Sequence, residues 1–274
     1  MYNISMRIFL IFLVGTIVLV LLGGIIYFVS SGSSFNFFKK TNVSISDNSF
    51  TTVIPGKLIV LTNTPFEPME YLDEKGNLVG FDIDLINAIG KKLGLEVIIE
   101  QKDWDLMFEL VKEHKVDLAI SGITATQERG KDFNFSIPYL NSGQVVIVES
   151  TNPKTILNSS DLETKKILVQ KNTTGAIVAK EAKGNVVELD EIGEAAIQEL
   201  ISHNADAIII DYVVGIKFVK DHKDIKLVGS QLTDEYYAIL FPLSEKRLVS
   251  AVDRVIREMK ENGELDTIKK LWIE

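Results

Sequence analysis

Asp117-Leu118-Ala119-Ile120-Ser121-Gly122-Ile123-Thr124-Ala125-Thr126-Gln127-Glu128-Arg129 decides how this 274-residue chain is read. After Asp117 comes a short apolar run, and a bare run of that kind bounded by polar residues suits a strand covered on both faces. The run empties into a small, hydroxyl-rich turn carrying Ser121, Gly122 and Thr124, which leads toward a helix at Arg129. Open α/β sheets bind ligands outside the carboxyl ends of their strands, so this turn is where a site is expected. Its N–H groups and hydroxyls suit an anion, and the planar fork of Arg129 suits a carboxylate held by two bonds.

Further strands are expected at Leu58–Leu61, Val97–Glu100, Val116–Ile120, Val145–Val148, Ile167–Val169, Ala207–Ile210, Lys226–Val228 and Ala238–Phe241. Helical stripes alternate with them. Phe81, Leu85, Ile86, Ile89 and Leu93 share one face, with Gly94 placed to cap the C-terminus; Leu248, Val252, Val255, Ile256 and Met259 repeat the pattern ahead of Gly263. Asp82 and Asp84 stand in a first helical turn, where acids complement the helix dipole. Strands alternating with helices predict an α/β fold with mostly parallel sheet, and the body is long enough for two lobes.

Asn204-Ala205-Asp206-Ala207-Ile208-Ile209-Ile210-Asp211 is another strand with an acid at its end. Arg129 and Asp211 on facing strand ends would suit a zwitterion. On the residues alone, Arg129 is equally a solvated side chain among Glu128, Lys131 and Asp132, and Asp211 is equally a cap for a helix over Tyr212–Lys220.

Composition removes several function classes. The chain has no cysteine, which excludes disulfides, Cys-ligated metals and thiol chemistry. Of 29 basic and 38 acidic residues, only Arg7, Lys39 and Lys40 fall in the first forty positions, with no acid among them. The remainder is strongly acidic, which opposes phosphate-backbone binding and argues against a nucleic-acid partner. His114, His203 and His222 each sit among polar or charged neighbours and read as surface residues. The motifs of zinc peptidases, serine hydrolases and phosphate-binding loops are all missing, and no cofactor is expected.

Ile8 to Val29 is an unbroken apolar stretch. It is long enough to cross a bilayer as a helix and longer than the apolar region of an ordinary signal peptide. Residues 1–30 are therefore expected to be a membrane-spanning signal anchor, or else a cleaved signal peptide ending near Ser30-Ser31-Gly32-Ser33-Ser34. Either places the body outside the cytoplasm. Residues 31–56, rich in Ser, Asn and Thr, read as a flexible tether.

Gly80-Phe81-Asp82-Ile83-Asp84-Leu85, Gly122-Ile123-Thr124 through Glu128-Arg129, Ala205-Asp206-Ala207 with Asp211, and the ending Asn262-Gly263-Glu264-Leu265 with Leu271-Trp272 occur in order. In these motifs, from about Lys57 to the C-terminus, the chain resembles the family 3 extracellular solute-binding proteins, the polar amino acid receptors of ABC importers. The resemblance implies a non-enzymatic, two-lobed clamp with a two-stranded hinge. Its lobes would be 57–144 plus 235–274, and 147–232. By position, Arg129 would take the ligand carboxylate, helped by Ser121, Gly122 and Thr124, and Asp211 would take the ammonium. Thr173 and Thr174, in Gln170-Lys171-Asn172-Thr173-Thr174-Gly175, would add carboxylate contacts from the second lobe. Phe66 and Trp104 would enclose the side chain. Asn63 stands where many members carry an acid, which disfavours a basic ligand unless Glu67 restores the charge; a polar neutral amino acid is favoured. Implied partners are a free amino acid, transporter permease subunits and, through the N-terminal helix, the membrane.

Two other classes share these features. Dehydratase-like enzymes occur on the same fold class, but no catalytic motif is present here. A sensory ectodomain would fit the N-terminal span, yet only about seven residues precede that span, so signalling would need a separate membrane partner.

Overall fold

The computed structural model describes residues 50–151 and 156–274. Along the chain come β1 (Lys57–Thr62), β2 (Tyr71–Leu72), β3 (Leu78–Val79), α1 (Phe81–Leu93), β4 (Glu96–Gln101), α2 (Trp104–Lys112), β5 (Leu118–Ala119), β6 (Phe133–Phe135) and β7 (Leu140–Asn141). Then follow β8 (Gln144–Glu149), β9 (Lys166–Gln170), α3 (Thr174–Glu181), β10 (Asn185–Leu189), α4 (Glu194–Ile201), β11 (Ala207–Asp211), α5 (Tyr212–Asp221) and β12 (Ile225–Val228). β13 (Tyr236–Tyr237), β14 (Leu240–Pro242), α6 (Lys246–Glu261) and α7 (Glu264–Trp272) complete it.

Two five-stranded sheets carry the two lobes. Their orders are β4-β1-β5-β14-β6 and β10-β9-β11-β8-β12. Each has three parallel strands followed by two strands paired antiparallel. The expectation of mostly parallel sheet is therefore corrected: half of the pairings are antiparallel. Strands reached through a helical crossover run parallel. β8 and β14 are instead reached directly from the segments that cross between the sheets, so they enter from the opposite end. Those crossings pair with each other as a two-stranded ribbon, Tyr236 against Asn141 and Tyr237 against Leu140.

The two sheets share a locking device. Asp117, just before β5, accepts the Ile59 N–H at 2.7 Å, and Asp206, just before β11, accepts the Lys166 N–H at 2.8 Å. Each carboxylate holds its strand in register with the neighbouring one.

The apolar stripes pack as their spacing demands. Phe81, Leu85, Ile86 and Ile89 of α1 are fully buried, and Gly94 closes the helix at φ 72°. Leu248, Val252, Ile256 and Met259 of α6 are also fully buried. Each such side chain contributes at most about 1.5–3 kcal/mol. The last helix is tied to the first through Trp272 Nε1 donating to Asp84 at 2.7 Å and through Lys92, 2.9 Å from both Glu258 and Glu264.

Three expectations change. Val116–Ile120 shortens to β5, Ala238–Phe241 shifts to β14, and the helix expected at Arg129 is a single 3₁₀ turn over Arg129–Lys131. β10 gave no bare apolar run because it is an edge strand that is nowhere fully buried. The end of the supposed tether is docked: Phe50 packs on the core and the Val53 N–H donates to Asp117 at 2.7 Å. The apolar stretch Ile8–Val29 lies outside the described residues. Among the described residues no helix is long and apolar enough to cross a membrane.

Candidate functional site

A small cavity, partly open to solvent, is lined by Asn63, Phe66, Trp104, Ser121, Gly122, Thr124, Arg129, Gln170, Thr173, Thr174 and Asp211. Asn63 follows β1, Ser121 to Thr124 follow β5, Gln170 ends β9, Thr173 and Thr174 open α3, and Asp211 ends β11. Both sheets thus deliver polar groups at the carboxyl ends of their strands. The ten positions singled out in the sequence lie together, and Gln170 joins them.

Arg129 is not a solvated side chain. It is half-buried, with its guanidinium carbon 5.4 Å from the Trp104 ring centroid and 5.1 Å from that of Phe108. Its Nη1 donates to the Thr124 carbonyl at 3.0 Å and its Nη2 to the Asn172 carbonyl at 3.3 Å. Burial lowers its pKa to about 10, against the pull of Glu235 and Asp211, and it stays charged at neutral pH. Trp104 also reaches the second sheet, donating from Nε1 to the Asn172 carbonyl at 3.3 Å. Asn172 has φ 57°, a left-handed value that asparagine tolerates, and its amide donates to Asp105 at 2.9 Å.

Asp211 occupies the N-cap position of α5, yet its side chain makes no capping bond. Its carboxyl faces the cavity instead. Burial pushes its pKa up to about 7; the nearby polar groups of Tyr237 and Gln144 pull it down, and the charge of Glu235 pushes it up.

The hydroxyls are spoken for. Ser121 Oγ donates to Glu70 at 2.5 Å and accepts the Asn63 N–H at 3.1 Å. Thr173 Oγ1 donates to the Gln170 carbonyl at 2.7 Å and accepts the Ala176 N–H, capping α3. Thr124 and Thr174 both donate to Glu235. Gly122 has φ 53°, and a Cβ there would lie 2.6 Å from Phe66 Cε1, so only glycine lets that ring close over the turn.

Also on the cavity wall, Asn63 Oδ1 accepts from Gln170 Nε2 at 3.1 Å and Asn63 Nδ2 donates to the Lys102 carbonyl at 2.9 Å. Glu67 supplies no charge here. It pairs with Lys217 at 2.9 Å and lines a separate groove with Tyr71, Phe218 and His222.

The model of the bacterial extracellular solute-binding proteins, family 3, matches residues 58–274. The chain belongs to that family. The arginine-binding extracellular protein ArtP of Bacillus subtilis (strain 168) is 29% identical over 233 residues, covering 83% of this chain and 90% of that protein. Among solved structures, an ancestral arginine-binding protein has been seen with arginine and with glutamine. Both forms are 36% identical with a TM-score of 0.75, and the glutamine form covers 80% of this chain and 98% of its own. The arginine-, lysine-, histidine-binding protein ArtJ from Geobacillus stearothermophilus is 33% identical with a TM-score of 0.73, covering 79% and 94%. These relatives are named as binding proteins, not enzymes.

Sequence reading missed the acids around this solute-binding site. Asp82 does more than complement a helix dipole. It is fully buried, and its Oδ2 accepts the Gly122 N–H at 2.8 Å and the Tyr139 hydroxyl at 2.9 Å. Glu70, also fully buried, holds Ser121. Glu70 Oε2 and Asp82 Oδ1 are buried without a hydrogen-bond partner. One proton shared between the two carboxyls would satisfy both, and burial raises both pKa values, that of Asp82 to about 7. The pair thereby pins the Ser121-Gly122 turn. Nothing in the spacing of Glu70 and Asp82 marks them as partners; only the packed fold brings them together.

A pH signature follows. Raised folded-state values mean stability that is present at acid pH and lost as pH rises from about 4 through about 7. Glu70→Gln keeps the acceptor for Ser121 and supplies a permanent donor toward Asp82. It is expected to stabilise the protein at pH 8 relative to the parent and to flatten the difference between urea midpoints at pH 5 and pH 8. An unchanged difference would show that the two acids do not share a proton.

Proposed function

We propose that this solute-binding protein captures a free L-amino acid with a polar neutral side chain outside the cytoplasm and presents it to an ABC importer. The observation that carries the reading is the pair Arg129 and Asp211 on one cavity, a guanidinium from the first sheet and a carboxyl from the second. An amino acid is the small solute with both complements on one carbon. Arg129 takes its carboxylate, supported by N–H groups of the Thr173–Thr174 helix start. Asp211 takes its ammonium, while Phe66 and Trp104 flank the side chain. Asn63 and Gln170 meet its end with amides, which both donate and accept, and Glu67 is already neutralised by Lys217.

Closure of lobes 57–144 plus 235–274 and 147–232 about the two crossings brings the groups over the ligand. Closure is favoured only by contacts the ligand makes in the closed state. The permease subunits then read the closed form, and an uncleaved N-terminal anchor keeps the receptor near them at raised effective concentration.

A thermal-shift screen of the protein against the common L-amino acids tests this. A true ligand at 100 times its Kd stabilises by about 2.7 kcal/mol, roughly 5–10 °C for a body of this size. L-Glutamine or another polar neutral amino acid is expected to give the largest shift. A larger shift with L-arginine, the ligand named for several relatives, replaces the neutral assignment with a basic one. No shift with any amino acid defeats the receptor reading.

A further inference from the structure

Glu235 lies outside the lining of the cavity yet controls two residues that form it. It immediately precedes β13, one strand of the crossing ribbon, and only 7% of its surface is exposed. Its Oε2 accepts the Thr124 hydroxyl at 2.6 Å and the Thr174 hydroxyl at 2.7 Å. Its Oε1 accepts the Thr233 hydroxyl at 2.7 Å, and Thr233 in turn accepts the Gln144 N–H at 2.8 Å. One carboxylate on the crossing therefore joins a hydroxyl that follows the first sheet's β5 to a hydroxyl that opens the second sheet's α3.

A hydroxyl has one proton. Once Thr124 and Thr174 give theirs to Glu235, only lone pairs remain toward the cavity, and Thr174 Oγ1 already takes a bond from Gln144 Nε2 at 3.1 Å. Neither hydroxyl then has a proton left for a carboxylate. Thr124 is left as an acceptor. We infer that Glu235 is a positioning residue that fixes the hydrogen-bond polarity of Thr124 and Thr174, turning this wall of the cavity into an acceptor surface that selects an ammonium group over its deaminated or hydroxylated analogue. The inference rests on the amino acid clamp and adds to it the residue that enforces discrimination for the ammonium.

Glu235→Met keeps the bulk but removes the oxygen that takes both threonine protons, so both hydroxyls are free to turn toward the ligand. Calorimetry compares each L-amino acid that binds in the screen with its deaminated acid: glutaramate for L-glutamine, delta-guanidinovalerate for L-arginine. Glu235→Met is expected to lower affinity for the amino acid about tenfold or more and to leave that of the deaminated acid within about threefold. Thr124→Val, which removes the acceptor without the carboxylate, is expected to reproduce the same split and guards against a folding defect in the first variant. Equal losses for both ligands, in either variant, overturn the inference while leaving the clamp standing. Failure of the parent protein to bind any amino acid defeats the clamp, and the inference with it.

Discussion

Replacing Arg129 with alanine is expected to abolish amino acid binding at micromolar concentrations while the protein stays folded. The guanidinium sits over Trp104 and Phe108 and is only half-buried, so its removal opens space at a cleft rather than in a core. Its two protein bonds go to carbonyls, which water can reach once the side chain is gone. A ligand carboxylate enclosed at the same place has no such substitute. Removing one partner of an enclosed ion pair costs about 3–5 kcal/mol, roughly a hundredfold to several thousandfold in affinity. Arg129→Lys retains the charge and loses the two-bond geometry, so it should fall between the parent and the alanine variant. Calorimetry gives the affinities and a thermal melt without ligand checks the fold. Near-parental affinity in Arg129→Ala would refute the carboxylate assignment.

Asp211→Asn is expected to have the second-largest effect and to remove a pH dependence. The Asp211 carboxyl is pushed up to about 7, chiefly by burial. Tyr237 and Gln144 stabilise its charged form, and Glu235 opposes it; Arg129 is the nearby cation. An ammonium binds the carboxylate, not the acid. Ligand capture therefore expels a proton at pH below about 7, and affinity should fall as pH drops from 7 toward 5, by up to about tenfold per unit. Above pH 8 the group is already charged and affinity should be flat on this account. Asp211→Asn should bind weakly at every pH and lose this slope, with little change for deaminated carboxylates. A parental affinity that is level from pH 5 to pH 8, or a slope that survives in Asp211→Asn, contradicts the ammonium role.

Much of the fold was legible because apolar patterning responds to burial that is local in sequence. The stripe from Phe81 to Ile89 and the runs in β1, β8, β9 and β11 are buried as their spacing requires. β10 was not legible, since an edge strand half in water carries a mixed pattern. The parallel expectation failed at β8 and β14, whose direction is set by the crossings rather than by their own residues.

The candidate site divides the same way. Arg129, Asp211, Thr124 and Thr174 could be named from motifs, because strand ends and turns announce themselves through short polar sequences. Which hydroxyls still have a proton to give could not be named. Glu235 lies 111 residues from Thr124 and 61 from Thr174, and Glu70 lies 51 from Ser121. In the linear sequence each looks like one more acid in an acidic chain. Chain pattern alone determined the α/β class, the family and the residue types on the cavity wall, because these follow from hydrophobic spacing and contiguous motifs. Tertiary structure alone decided the freedom of Asp211 from its helix cap, the pairing of Glu67 with Lys217 and the acceptor polarity of the threonines. Those depend on which distant groups share a proton at under 3 Å, a relation that sequence spacing does not encode.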